Sequence, residues 1–168
     1  MDEAQSTDPR PVDCDVDVHL PAQRAELARS HGRVLLVVAL GGGIGALARY
    51  GIGLLLPTTP GHFPYGTFAI NVLGCALIGV LMVLVGEVYP ASQLIRPFFG
   101  TGILGGFTTF STYTNEFRAL LRPGTVPLAL AYLAGTLLCA LLAVSLATWL
   151  TRRIVSRVHD PELSEVAS

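Results

Sequence analysis

The chain has 168 residues, and its 11 basic and 12 acidic groups leave a formal charge of −1. That balance excludes a nucleic-acid binder, whose phosphate contacts need a basic surface. With 51% hydrophobic and only 14% charged residues, against roughly 25% charged in soluble domains, and a mean hydropathy of +0.57, it carries more apolar residues than one soluble core can hide.

Residues 1–33 hold seven acids and four arginines together with Pro9, Pro11 and Pro21. They read as a polar, largely disordered tail with a short helix near Pro21–Ser30. The acidic opening argues against a signal peptide. From Val34 to Thr151 the charged residues are Glu87, Glu116, Arg49, Arg96, Arg118 and Arg122, and residues 152–168 return to polar composition. Residues 34–151 are therefore expected to form an all-helical integral membrane domain between two tails. Cys14, Cys75 and Cys139 lie too far apart for a metal motif or a disulfide framework.

A bilayer core about 30 Å thick needs about 20 apolar residues in a helix. Val34–Leu56 is the first span, ended by PTTPGHFPY, and Thr67–Val85 is the second, ended by GEVYP. Pro127–Leu150 is the fourth, with Trp149 at its edge where interfacial aromatics belong. The third, Leu94–Phe117, contains Gly100, Gly102, Gly105 and Gly106 and then the run TTFSTYTN. We expect it to be locally unwound, since irregular backbone at membrane depth needs protein or a wet cavity to satisfy it. Close packing by small residues is the alternative reading of its glycines. In the first span Gly41, Gly45 and Arg49 share one helical stripe, and Gly42 and Ala46 share the next, spacing that lets backbones approach closely.

Polar side chains inside spans are costly and need a partner or a cavity. Arg49 comes late in the first span and either snorkels to the interface or serves the site. Asn71, on a ridge with Gly74, is either interhelical glue or an N–H donor to an anion. Glu116 follows the polar run and reads as a rim charge. That run, which includes Ser111 and Thr112, places Phe110 and Tyr113 at i, i+3 on one helix face. Aromatic edges carry partial positive charge, so two such edges flanking a narrow passage can coordinate a small anion without trapping it. The same cluster also fits simple aromatic packing with hydroxyls bonded back to helix carbonyls. The four histidines lie outside the spans, so no hydrolytic constellation exists in the membrane and no enzyme is expected.

GGGIGALARY at 41–50, GTFAINVLG at 66–74 and GILGGFTTFSTYTNEF at 102–117 together resemble the CrcB/Fluc family of fluoride channels. The resemblance covers about residues 34–151. It implies a dimer of two four-helix subunits in opposite orientations, each with a broken third helix, sitting in the cell membrane (a bacterial-type inner membrane). It implies passive fluoride export and fluoride resistance. Asn71 becomes the pore amide, Phe110 and Tyr113 the pore aromatics, and Ser111, Thr112 and Thr136 hydroxyls on the ion path. A structural sodium ion at the dimer interface is implied on the backbone carbonyls of Gly105 and Thr108, with Gly41, Gly45, Arg49 and Gly74 in packing roles.

Two departures stand out. The family usually has Phe where Tyr113 stands, and the hydroxyl track that passes from Tyr132 to Thr136 reaches Ala140 at its next position. Arginines also favour one side of the expected topology, seven against two or three, placing both termini in the cytoplasm. The partner is thus either a second copy or an oppositely oriented homologue, and a weakly conducting structural subunit is the alternative function. A four-span proton-coupled exporter needs a carboxylate in its first span, and Val34–Leu56 has none.

Overall fold

The computed structural model describes residues 32–88 and 94–159; most of the expected N-terminal tail, its short helix and residues 160–168 lie outside the described residues. Everything regular among the described residues is helical. Helix α1 spans Gly32–Leu55, and α2 spans Tyr65–Val83 before loosening into π winding over Leu84–Val88. Helix α3 begins as a π-helix over Arg96–Leu104 and tightens to α geometry over Gly105–Phe107. Helix α4 is Ser111–Leu120 and α5 is Val126–His159. Among the described residues three stretches are long and apolar enough to cross a membrane: Gly32–Leu55, Tyr65–Glu87 and Val126–Arg157. The expected third span is two shorter helices, α3 and α4, separated at Thr108–Phe110.

Within the unit Val34–Ser168, residue neighbours give the helix directions. Gly41 of α1 lies against Phe98 and Gly102 of α3, and Gly45 against Ile103 and Phe107, so α1 and α3 run parallel. Asn71 of α2 meets Thr109 whereas Gly100 faces Leu81, so α2 runs antiparallel to α3. Gly79 of α2 packs on Val144 and Thr148 of α5, and Glu87 pairs with Arg152, so α2 and α5 run parallel. The result is alternating up and down crossings, with turns eased by Gly61 and Gly124 at φ +80° and +93°.

The contact between α1 and α3 is made by backbone. The buried residues of α1 are Gly41 and Gly45, while Leu36, Leu40, Ile44 and Leu47 are exposed. A Cβ on Gly41 would lie 2.5 Å from the Phe98 carbonyl oxygen, and one on Gly45 would overlap the Ile103 carbonyl. On the next stripe a Cβ on Gly106 would overlap the Gly42 carbonyl, whereas one on Gly42 would meet nothing within 4 Å. The GxxxG spacing thus works as small-residue packing does elsewhere in membranes. It also brings α3 near enough for Arg49, two turns along α1 from Gly41, to reach the break.

Helix α5 extends past the expected end of the fourth span at Leu150. Its 34 residues amount to about 51 Å at about 1.5 Å per residue, against a hydrocarbon core of about 30 Å. The composition changes at Arg152 but the helix does not stop, because arginine is a good helix former and Arg152 Nε donates to Glu87 Oε1 at 2.9 Å.

Gly45→Ala forces a methyl into backbone that cannot yield cheaply and should destabilise the fold by about 1–3 kcal/mol. Gly43→Ala meets nothing within 4 Å and should be neutral. Thermal unfolding in detergent, followed by the loss of the monodisperse elution peak, reads the difference; equal melting of the two variants would contradict backbone packing of α1 on α3.

Candidate functional site

The site begins with a helix that stops inside the membrane domain. Thr108 turns to extended geometry at φ −75°, ψ 159°. Its own N–H and Oγ1 both donate to the Leu104 carbonyl, at 3.0 and 2.9 Å, closing α3. Hydroxyl side chains compete with the helix ladder in this way and lower the cost of leaving it. Thr109 Oγ1 then accepts the Thr112 N–H at 3.2 Å and donates to Thr112 Oγ1 at 3.0 Å. Thr109, two positions before α4 begins at Ser111, thus satisfies a backbone amide in the first turn of α4.

Asn71 closes the gap. Its Nδ2 donates to the Thr109 carbonyl at 3.1 Å, and its Oδ1 accepts the Thr109 N–H at 3.0 Å. The carbonyl needs a donor and the amide an acceptor, so the pair fixes which way the side-chain amide faces. An unpaired backbone group in a bilayer costs several kcal/mol, and one asparagine satisfies two of them. The diversion releases others. In an unbroken helix the Gly105 carbonyl would accept from Thr109 N–H and the Thr108 carbonyl from Thr112 N–H, and both donors are engaged elsewhere. Gly74, one turn beyond Asn71 on α2, leaves room for this: a Cβ there would overlap the Thr108 methyl.

A groove of about 400 Å³ lies beside the break and gathers Asn71, Gly105, Thr108, Phe110, Tyr113 and Thr136 in its walls, with Ala140 further along α5. The Phe110 and Tyr113 rings are 6.0 Å apart between centroids and tilted by 50°. Their settings differ: Phe110 is 79% exposed and Tyr113 9%. The Tyr113 hydroxyl donates to the Leu133 carbonyl at 2.6 Å, which ties α4 to α5. Thr136 Oγ1 donates to the Tyr132 carbonyl at 2.7 Å. Both hydroxyl protons are therefore engaged by α5 backbone, and the donors left for an anion in this groove include the second Nδ2 hydrogen of Asn71, the weak Cys75 S–H and the ring edges.

Ser111 and Thr112 fall elsewhere. They line a second cavity of about 590 Å³ with Arg49, Thr58, Glu116 and Thr109, and Thr109 also belongs to the groove wall. The lock at Thr109 thus separates two spaces. Arg49 turns inward, with Nη1 3.5 Å from the Thr108 carbonyl. Glu116 is more than a rim charge: Oε2 accepts from the Tyr132 hydroxyl at 2.8 Å and Oε1 from Thr58 Oγ1 at 2.9 Å. Tyr132 is fully buried, and its ring meets Tyr113 and Phe63 edge-on at 5.1 and 5.3 Å.

Sequence alone assigns Thr109, Tyr132 and Thr58 none of these roles. Thr109 has a visible signal, a hydroxyl three residues before another hydroxyl at a helix start. Tyr132 was legible only as the head of the α5 track, one turn before Thr136. Thr58 has no signal, because its partner Glu116 lies 58 positions away. Among the described residues no buried side-chain polar atom lacks a partner, and no group of three His, Cys, Asp or Glu side chains forms a metal cluster.

The sequence profile of the family described as "CrcB-like protein, Camphor Resistance (CrcB)" matches residues 36–148. Fluoride-specific ion channel FluC 1 of Streptomyces coelicolor is 58% identical over 127 residues, 76% of this chain and 82% of its own. Fluoride-specific ion channel FluC 2 of Streptomyces avermitilis is 55% identical over 122 residues, 73% of this chain and 77% of its own. Fluoride-specific ion channel FluC 2 of Nocardia farcinica is 58% identical over 119 residues, 71% of this chain and 85% of its own.

Asn71→Asp keeps an acceptor for the Thr109 N–H but sets a carboxylate oxygen against the Thr109 carbonyl and should be destabilised by about 1–3 kcal/mol. Tyr113→Phe removes one donor and keeps the ring edge, and it should cost about 1 kcal/mol. Denaturant or thermal unfolding in detergent checks both. Asn71→Asp as stable as the parent would show that the amide does not lock the break.

Proposed function

The chain belongs to the CrcB family, and we propose that it is a fluoride-specific ion channel that lets cytoplasmic fluoride leave the cell passively. The observation that carries this reading is the groove at the break in the third span, where Asn71, Phe110 and Tyr113 converge. Hydrogen fluoride crosses a bilayer as a neutral molecule, ionises inside and is trapped as the anion. A passive anion path relieves that trap.

The chemistry of the groove suits a small, strongly hydrated anion. The spare Asn71 N–H and the edges of Phe110 and Tyr113 offer positive charge in fractions, so the anion is held without the deep well of a full cation, as conduction requires. Arg49 in the neighbouring cavity raises the local potential for anions. The proton of the Tyr113 hydroxyl points to Leu133, so the departure from the family's usual Phe leaves the ring edge as the group that serves the anion.

The working assembly in this reading is a dimer of oppositely oriented subunits. Support comes from the 79% exposure of Phe110 and from the exposed leucine face of α1, both of which a partner would cover. A structural sodium ion belongs to the same proposal. The carbonyls of Gly105 and Thr108, freed from the helix ladder, are the hard oxygen donors such a cation takes. When bound, the ion would supply a fixed positive charge that ties the break to the interface. The partner is a second copy or a homologue of opposite orientation.

Purified protein in vesicles is expected to release fluoride down its gradient when an ionophore compensates charge, and to retain chloride. Phe110→Ile should lower the fluoride rate at least tenfold while the variant elutes and melts as the parent does. Release no faster than from empty vesicles would overturn the proposed function, and undiminished flux in Phe110→Ile would overturn the role of the aromatic edge.

A further inference from the structure

We propose that the far end of α5 binds the phosphate headgroup of an anionic phospholipid, at a site built from Trp149, Arg153 and Arg157. The ion path described above has no part in it. The site sits where α5 passes out of the hydrocarbon layer. Leu146, Leu150 and Ile154 are exposed there, as side chains facing acyl chains should be. Trp149 is half-exposed among them, at the depth where indole rings settle. One helical turn further on, about 6 Å at about 1.5 Å per residue, the character changes to arginine.

The Arg153 guanidinium lies over the Trp149 ring, 4.2 Å from its centroid. That cation–π contact keeps the guanidinium beside the indole, and its planar fork of N–H donors suits a phosphate oxygen pair. Arg152 is spent differently, on Glu87 at 2.9 Å. That pair joins α2 to α5 and sets one wall of a depression of about 680 Å³, to which Ser145, Thr148 and Ser156 add hydroxyls and Val144 and Val155 an apolar floor. Arg157, exposed one turn beyond Arg153, adds a second cation. Arg152, Arg153 and Arg157 against Glu87 leave a formal surplus of two positive charges here, which attracts a phosphodiester of net charge −1. An apolar floor beneath a guanidinium rim fits a lipid, with its acyl chain along Val144 and its phosphate above, better than it fits a soluble anion.

Trp149 is the sole tryptophan, so its emission reports this site alone. The full chain is reconstituted in phosphatidylcholine vesicles containing a minor fraction of either brominated phosphatidylglycerol or brominated phosphatidylcholine. The anionic lipid is present in both leaflets, so subunit orientation does not matter. Brominated phosphatidylglycerol is expected to quench with an apparent association about fivefold higher than brominated phosphatidylcholine, in keeping with the attraction of a basic cluster for anionic lipid. The preference should fall to unity in Arg153→Gln/Arg157→Gln and persist in Arg118→Gln/Arg122→Gln, which removes the same charge from the other end.

Equal quenching by the two lipids in the parent protein would overturn the proposal, as would a preference that survives the first double variant or disappears in the second. Inorganic phosphate added to the vesicles should leave the quenching unchanged. If it relieves the quenching, the ligand is the free anion and the lipid assignment fails. Fluoride release measured on the same vesicles is expected to be the same for the parent and for Arg153→Gln/Arg157→Gln, which keeps this test separate from that of the ion path.

Discussion

The side-chain amide of Asn71, paired with the backbone of Thr109 on both sides, is the contact on which the rest of the molecule turns. A helix cannot stop inside a membrane unless something else takes over its ladder. Here one residue on α2 accepts the amide and donates to the carbonyl, at 3.0 and 3.1 Å. Its effect reaches both ways along the chain. Upstream it diverts the donor of the Gly105 carbonyl, and the Thr108 carbonyl is met by Arg49 Nη1 at 3.5 Å. Downstream Thr109 Oγ1 accepts an amide in the first turn of α4, which carries Phe110 and Tyr113 at its start. The groove, its aromatic walls and the separation from the Arg49 cavity all follow from that exchange of partners.

The lock is possible because the surrounding helices carry so little side chain. Gly41 and Gly45 of α1 and Gly106 of α3 bring the two helices together through backbone, and Gly74 gives Thr108 space against α2. The π winding of Arg96–Leu104 belongs to the same economy of bulk. Wider winding places Gly100 and Gly102 where Leu81 and the α1 backbone approach them, and π segments occur mostly at functional positions. Leucines excluded from this interior cover the outer face of α1 instead, where lipid or another subunit can receive them.

What could be read without coordinates divides along physical lines. Helices α1, α2 and α5 were legible because membrane solvation writes itself as long apolar runs, and the break was legible because glycines followed by consecutive hydroxyl residues disfavour a continuous ladder. Helical spacing placed Phe110 and Tyr113 on one face, and both line one groove with Asn71 and Thr136, while Ser111 and Thr112 line the second cavity. The partners of Glu116 were not legible. Tyr132 and Thr58 reach it from α5 and from the α1–α2 loop, and such meetings depend on how helices dock and not on any local pattern. The same holds for the Tyr113 hydroxyl, whose acceptor is a backbone carbonyl 20 positions away. Hydropathy marks where α5 leaves the bilayer, whereas helix propensity and the Glu87–Arg152 pair carry the helix on to His159.

The account rests on a backbone amide held by a side chain from another helix, and that amide can be watched directly. Hydrogen exchange of the Thr109 N–H, resolved by NMR in the parent and in Asn71→Ala, tests it. Protection of Thr109 comparable to that of helical amides in the parent, lost selectively at Thr109 in the variant while α1 and α5 stay protected, is the predicted result. A Thr109 amide that exchanges at the same rate with and without the Asn71 side chain would contradict it.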